Sequence, residues 1–128
     1  MEYPKYITGI KELNSEIQNN NQKKIMLVFT ASWCGPCQKL KNELISTNQD
    51  GSISGIQVKY QDKLIILYID VDESENQELM EIYEVSGMPT QVIIKPNFDQ
   101  ETNRINIDKV YQIVGYDMIK LRMHLEDM

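Results

Sequence analysis

The sequence contains little cysteine and histidine: among its 128 residues there are two cysteines and one histidine. A framework of several disulfides, as in small secreted domains, is therefore excluded. A zinc site built within the chain is also excluded, because zinc needs about four ligands and His124 lies far along the chain from both cysteines. We expect no bound metal, and we expect the two cysteines to act together locally.

Long apolar runs and an excess of basic residues are absent as well. No run approaches the roughly 20 apolar residues of a membrane-spanning helix, and the N-terminus lacks the basic-then-apolar layout of a signal peptide. The formal net charge of −6 argues against nucleic acid or an anionic membrane as the main partner. We therefore expect a cytoplasmic protein with no nucleic-acid or membrane partner.

The amino-acid composition is typical of a globular domain. Hydrophobic residues make up 41% of the chain and charged residues 25%. A chain of this length can bury a core without metals or a set of disulfides. No linker or repeat divides the sequence, so we predict a single domain over residues 1–128.

Helical and strand patterns alternate along the chain. Predicted helices carry apolar residues at helical spacing, and predicted strands are short continuous apolar runs. In order, the elements are a helix from Thr8, strand KIMLVFT, helix CQKLKNELIST, strand KLIILYID, acidic helix DESENQELMEIYEV, strand TQVIIK, loop PNFDQETNR, strand KVYQIVG and helix DMIKLRMHLEDM. This alternation predicts an α/β fold with one mixed sheet covered by helices.

The stretch between the second helix and second strand, and the last helix, each carry a more specific structural prediction. The polar stretch at 49–63 is predicted to be a disordered loop, with an extra hairpin or a partner-binding addition as the alternatives. In the last helix, we expect partial burial of the apolar residues Ile119, Leu121, Met123 and Leu125.

Both cysteines lie in WCGPC, at the junction between the first strand and the second helix. At a helix N-terminus, unpaired backbone N–H groups stabilise the Cys34 thiolate, the form that attacks disulfides. Cys37, one turn later, can reach back and resolve a mixed disulfide. Gly35 permits close approach of a client backbone, and Pro36 suits the first turn of a helix. These residues favour a redox pair over an inert pair of buried thiols.

Several motifs in order along the chain resemble the thioredoxin family. They are WCGPC at 33–37 after the strand KIMLVFT, YIDVDE, GMPT at 87–90 before a strand, and VG at 114–115. The resemblance implies a thioredoxin fold, with a central mixed sheet of four to five strands flanked by helices. It also implies a cis Met88–Pro89 peptide bond opposite the cysteines, and a client groove formed by Trp33, Gly87, Met88, Pro89, Thr90 and Gly115.

The resemblance further implies a thiol–disulfide oxidoreductase that reduces protein disulfides. Cys34 would be the nucleophile and Cys37 the resolving residue, with a reversible disulfide between them and no bound cofactor. Disulfide-containing proteins would be the clients, thioredoxin reductase the electron donor, and a monomer the active state, in electron transport and cell redox homeostasis. A disulfide oxidase or isomerase, and a non-catalytic binding module, are the alternatives. Gly-Pro between the cysteines favours the reductase, since oxidases and isomerases of this superfamily mostly carry His there.

Three positions depart from the family pattern. Val28 stands where thioredoxins usually bury an Asp that moves a proton to or from the resolving cysteine. Tyr68 stands in place of a Lys or Glu on the next strand, and Asn42 in place of a helix-kinking proline. An apolar environment without that carboxylate should keep the Cys37 thiol protonated and slow client release.

Overall fold

The computed structural model describes residues 4–127, which form a four-stranded sheet with helices on both faces. The strands are β1 Lys24–Thr30, β4 Leu64–Asp70, β5 Thr90–Asp99 and β6 Arg104–Val114, and a separate short hairpin consists of β2 Ser46–Thr47 and β3 Ile53–Ser54. In the four-stranded sheet the strand order is β4-β1-β5-β6, where β1 pairs in parallel with β4 and antiparallel with β5, and β5 pairs antiparallel with β6. The predicted mixed sheet is confirmed.

The helices divide between the two faces of the sheet. They are α1 Gly9–Asn19, α2 Gly35–Leu44, α3 Ile56–Lys59, α4 Gln77–Ile82, preceded by a 3₁₀ turn at Ser74–Asn76, and α5 Met118–Glu126. One core cluster contains the buried residues of α1 and α4 together with Cys37 at the start of α2, and the other contains Leu40 and Leu44 of α2 and the buried residues of α5. Within the described residues, no helix is long and apolar enough to cross a bilayer.

Strand β1 is central, and its position explains its sequence. Ile25, Leu27 and Phe29 pack in the cluster with α1 and α4, whereas Met26 and Val28 pack in the cluster with α2 and α5. A strand covered on both faces needs apolar residues at consecutive positions, as KIMLVFT has. The alternation also fixes which β1 side chains face α2, the helix that follows the WCGPC motif.

The expectation of a disordered loop at 49–63 is wrong. The chain forms the hairpin β2–β3 and then the short helix α3. Gly55 joins them with φ of 114°, and an added Cβ would lie 2.7 Å from Leu44 O. Glycine is needed there because only a residue without a side chain fits both this backbone angle and the contact with α2.

The loop predicted at 96–104 is also mostly wrong, since strands β5 and β6 extend through it and leave a short turn at 100–103. Beyond Ile94, β5 pairs with β6 alone, because its pairing with β1 ends there. Pro96 is tolerated on this one-sided extension, where a missing N–H breaks no ladder on the open side.

Two further expectations were tested in the helices. Helix α2 runs without interruption through Asn42, consistent with the absence of a proline. In α5, Leu121 and Leu125 are buried, but Ile119 and Met123 are exposed and the expected burial of these two is wrong. One face of α5 alone therefore contacts the sheet.

Candidate active site

Cys34 is the N-cap residue of α2, and it forms a disulfide with Cys37 in the first turn of that helix. The Cys37 backbone N–H donates to Cys34 Sγ at 3.2 Å. Both side chains are buried, while Gly35 and Pro36 between them are exposed. A sulfur at a helix N-terminus receives the positive end of the helix dipole and the unpaired N–H groups, which favour the thiolate once the disulfide is reduced.

Trp33 precedes the pair and is 69% exposed, an unusual exposure for so large an apolar side chain. Its indole N–H donates to Asp72 Oδ2 at 2.9 Å, and the Asp72 backbone N–H donates to Asp70 Oδ1. Asp72 follows β4, which lies beside β1, so the two loops meet at the same edge of the sheet. The hydrogen bond thus holds the indole in place beside the dithiol.

The Met88–Pro89 peptide bond is cis, as the family resemblance implies. Thr90 pairs with Phe29 across β5 and β1, which places Met88 and Pro89 alongside the residues that lead from β1 to Cys34. Met88 also packs against the core cluster that contains Cys34 and Cys37. The structure therefore brings the cis-proline segment next to the cysteines.

Gly87, Thr90 and Gly115 complete this surface. Thr90 Oγ1 donates to Gly87 O at 2.6 Å, and Gly115 N donates to Pro89 O at 2.7 Å. Gly115 adopts φ of 95°, a conformation that glycine adopts without strain. The residues predicted to line the client groove thus belong to three loops, which follow β1, α4 and β6, and to the first residue of β5.

Val28 and Tyr68, the two departures in the core, are direct partners on β1 and β4, and both are buried. Burial raises the pKa of the Tyr68 hydroxyl well above its usual range, with a smaller contribution from nearby Tyr6. Tyr68 is therefore a neutral phenol near pH 7. No carboxylate occupies either of these two positions.

The surface around the dithiol is open and acidic on one side. The segment at 70–84 carries seven carboxylates and no lysine or arginine. A pocket of about 570 Å³ lies at the far end of the sheet, where Lys24 begins β1 and Lys63 precedes β4. Among residues 4–127, no three His, Cys, Asp or Glu side chains are grouped so that they could hold a metal. An open surface beside a reactive pair suits a macromolecular client.

Sequence reasoning missed three residues of this region. Asp72 lies in the YIDVDE motif, but nothing in the motif identifies the indole as its partner. Val114, which is exposed, would contact a Cβ at Gly87 at 3.2 Å and so borders the groove. Gln91 is buried, and its Nε2 donates to Gly115 O at 3.3 Å. The signal for Gln91 was an amide directly before the apolar run VII in TQVIIK.

In comparison with known sequences, the chain matches the family that its motifs resemble. The sequence model of the family described as Thioredoxin matches residues 6–114. Thioredoxin-1 of Drosophila melanogaster is 34% identical over 91 residues, which cover 71% of this chain and 75% of that protein. The thiol:disulfide interchange protein DsbD of Campylobacter jejuni is 41% identical over 92 residues, covering 70% of this chain but 15% of DsbD.

Comparison with solved structures agrees with the sequence matches. The crystal structure of the germline-specific thioredoxin Deadhead from Drosophila melanogaster has a TM-score of 0.71 and 28% identity, and the match covers 96% of this chain and 97% of that one. The thioredoxin of Trichomonas vaginalis gives a TM-score of 0.69 and 26% identity, covering 96% and 95% of the two chains.

Proposed function

The chain belongs to the thioredoxin family and is a thiol–disulfide oxidoreductase, and we propose that it reduces protein disulfides with Cys34 as nucleophile and Cys37 as resolving residue. The observation that carries this assignment of roles is the position of Cys34 at the N-cap of α2, where the Cys37 N–H points at its sulfur. Of the two sulfurs, only that of Cys34 has the helix N-terminus directly behind it, so its thiolate is the more stabilised.

The reaction proceeds in two exchanges. The Cys34 thiolate attacks one sulfur of a client disulfide, that bond breaks, and the other client sulfur leaves and takes up a proton. Cys37 then loses its thiol proton and attacks Cys34 Sγ. The bond between Cys34 and the client breaks, and the second client thiolate takes up a proton. The client gains two electrons and two protons, and the protein becomes the Cys34–Cys37 disulfide that the structure shows.

The groove beside the dithiol supports an extended client segment. Met88, which precedes the cis bond beside the cysteines, is half-buried, and we propose that its backbone pairs with a client strand. Trp33 and Val114 supply exposed apolar area on either side. Main-chain pairing and apolar contact depend little on client sequence, so we propose a broad range of disulfide-containing clients.

A reductase needs an electron donor and a compartment that keeps its dithiol reduced. We propose a thioredoxin reductase as the donor, electron transport for cell redox homeostasis as the role, and the cytoplasm as the location, since cytosolic thiols are kept reduced. These proposals follow from family membership. Trapping the redox state of the cysteines in fractionated cells tests them, because a reduced pair in the cytosolic fraction supports them and an oxidised pair contradicts them.

The roles of the two cysteines are tested by single substitutions. We expect Cys37→Ser to accumulate a mixed disulfide with a client, because Cys34 still attacks but nothing resolves the product. Cys34→Ser should give neither a mixed disulfide nor reduction of insulin disulfides. The two variants are matched controls for each other, since each removes one sulfur. Client binding that survives both substitutions would instead identify a non-catalytic binding module.

A further inference from the structure

Four lysines line the pocket of about 570 Å³ at the end of the sheet opposite the dithiol. They are Lys23, immediately before β1, Lys24 at its first position, Lys63 before β4, and Lys95 in β5. Among the described residues that line the pocket, Asp62 is the one carboxylate. The lining therefore carries a formal charge of +3, from four lysines and one aspartate, in a chain whose net charge is −6.

The sheet register brings three of these lysines next to one another. Lys63 directly precedes β4, and the Lys24 backbone N–H donates to Lys63 O at 3.0 Å. On the other side of β1, Ile25 pairs with Ile94, and extending this antiparallel register by one position sets Lys24 opposite Lys95. Like charges opposite one another on neighbouring strands are destabilising. A bound anion would remove this repulsion.

The positive charge of the pocket is not neutralised by neighbouring side chains. Within residues 4–127, none of the four lysines forms an ion pair. Lys23 Nζ donates to Gln61 O at 3.0 Å, which keeps that ammonium beside the strand ends without cancelling its charge. Protection of exposed sheet edges is a common use of lysine, but it does not explain Lys24, because β1 is a central strand. The lysines are therefore free to bind an anion.

The acidic segment at 70–84 does not cancel this charge from a distance. It begins at the other end of β4, a strand of seven residues that spans about 20 Å. At physiological ionic strength, interactions between exposed charges are screened over about 8 Å. An anion in the pocket therefore interacts mainly with the lysines, although the chain as a whole is acidic.

The size and the lining of the pocket indicate the kind of anion. Small-molecule sites in proteins have volumes of about 300–1,000 Å³, and this pocket lies within that range. Lysine ammonium groups bind phosphate through charge-assisted hydrogen bonds. Phe98 also lines the pocket and is 50% exposed, so its ring offers an aromatic face on which a nucleobase can stack.

We propose that this pocket binds a nucleoside polyphosphate, with the phosphates at Lys24, Lys63 and Lys95 and the base against Phe98. The ligand neutralises three adjacent like charges, so its binding stabilises the folded chain. The site lies at the opposite end of the sheet from Cys34, and the proposal does not depend on the redox activity.

Isothermal titration calorimetry of the full chain with adenosine triphosphate (ATP), in magnesium-free buffer, tests the lysines. Lys63→Gln and Lys95→Gln should each raise the Kd about tenfold, because each removes one charge-assisted contact to phosphate. Asp62→Asn should lower the Kd about threefold, because it removes the negative charge from the lining. Lys120→Gln is the matched control. It makes the same charge change at an exposed position on α5 and should leave the Kd unchanged.

Inorganic triphosphate and Phe98→Ala test the contact with the base. ATP should bind more tightly than inorganic triphosphate, and Phe98→Ala should raise the Kd for ATP about tenfold while leaving that for triphosphate unchanged. A Kd for ATP weaker than about 1 mM would overturn the proposal. Equal affinities for ATP and triphosphate, or an equal loss of affinity in Lys63→Gln and Lys120→Gln, would also overturn it. Urea unfolding of each variant checks that the fold is retained.

Discussion

The Trp33 indole N–H donates to Asp72 Oδ2 across 2.9 Å, joining the loop before the dithiol to the loop after β4. The two residues lie 39 positions apart in sequence and meet because β1 and β4 are parallel neighbours. Because the hydrogen bond fixes the indole at its polar atom, the apolar face of the ring stays available to a client. The side chain therefore loses little conformational entropy when a client binds.

Removing that acceptor should weaken client binding. For Asp72→Ala we expect an increase of about fivefold in KM for a protein disulfide with little change in kcat, because one hydrogen bond is worth about 1 kcal/mol. Asp72→Asn keeps a side-chain oxygen acceptor and is the matched control, with KM near the wild-type value. A kcat loss without a KM change would show that the contact serves chemistry instead of binding.

The missing carboxylate at Val28 gives a second prediction. Val28→Asp should raise the rate of disulfide reduction near pH 7 by about tenfold, because it supplies a base for the Cys37 proton. The variant should also lose about 2–4 kcal/mol in the free energy of unfolding, because it buries a carboxylate in the space that the valine side chain occupied.

Val28→Asn separates these two effects. It introduces a buried polar group of similar size that cannot accept the proton, so stability should fall while the rate does not rise. Stopped-flow Trp33 fluorescence gives the rate, and urea unfolding gives the stability. An unchanged or lower rate in Val28→Asp would refute the base account.

Gly55 tests whether the hairpin and α3 are built into the fold. Gly55→Ala should cost about 2–4 kcal/mol in the free energy of unfolding, because the new Cβ meets Leu44 O at 2.7 Å on a backbone with φ of 114°. Gly51 also has positive φ, at 87°, but has open space around its Cβ position. Gly51→Ala should cost only about 1 kcal/mol. Equal losses in the two variants would contradict the packing of Gly55 on α2.

Alkaline stability follows from the raised pKa of Tyr68. The unfolded chain releases the phenolic proton near pH 10, whereas the folded chain holds it to higher pH. The free energy of unfolding is therefore unaffected by this proton below about pH 10. It falls as pH rises beyond that value, by about 1.4 kcal/mol at pH 11. Tyr68→Phe has no such proton and should lose correspondingly less stability between pH 8 and pH 11 in urea unfolding. Equal pH-dependent losses in both proteins would contradict this burial effect.

The sequence predicted the parts of the fold that depend on strong periodicity. KIMLVFT and KLIILYID are long apolar runs because both faces of their strands are covered, and WCGPC lies at the predicted junction of strand and helix. The cis Met88–Pro89 bond, which the family resemblance implied, is also present.

The segments that escaped prediction lack such periodicity. The hairpin β2–β3 consists of two-residue strands with few apolar residues, and its position depends on the contact of Gly55 with α2, which sequence spacing does not encode. Strand β5 extends past Pro96 only because it has a partner on one side there. The hydrogen bonds of Asp72 and Gln91 are long-range contacts, so neither was predictable before the sheet register was known.

The measurement that tests the central account most directly is the reduction potential of the Cys34–Cys37 pair. The protein is equilibrated in dithiothreitol or glutathione buffers and followed by the fluorescence of Trp33, its one tryptophan. A reductase should give a reduction potential of about −270 mV, typical of a pair that donates electrons to client disulfides. A value between about −180 and −120 mV would contradict the account and identify an oxidase or isomerase.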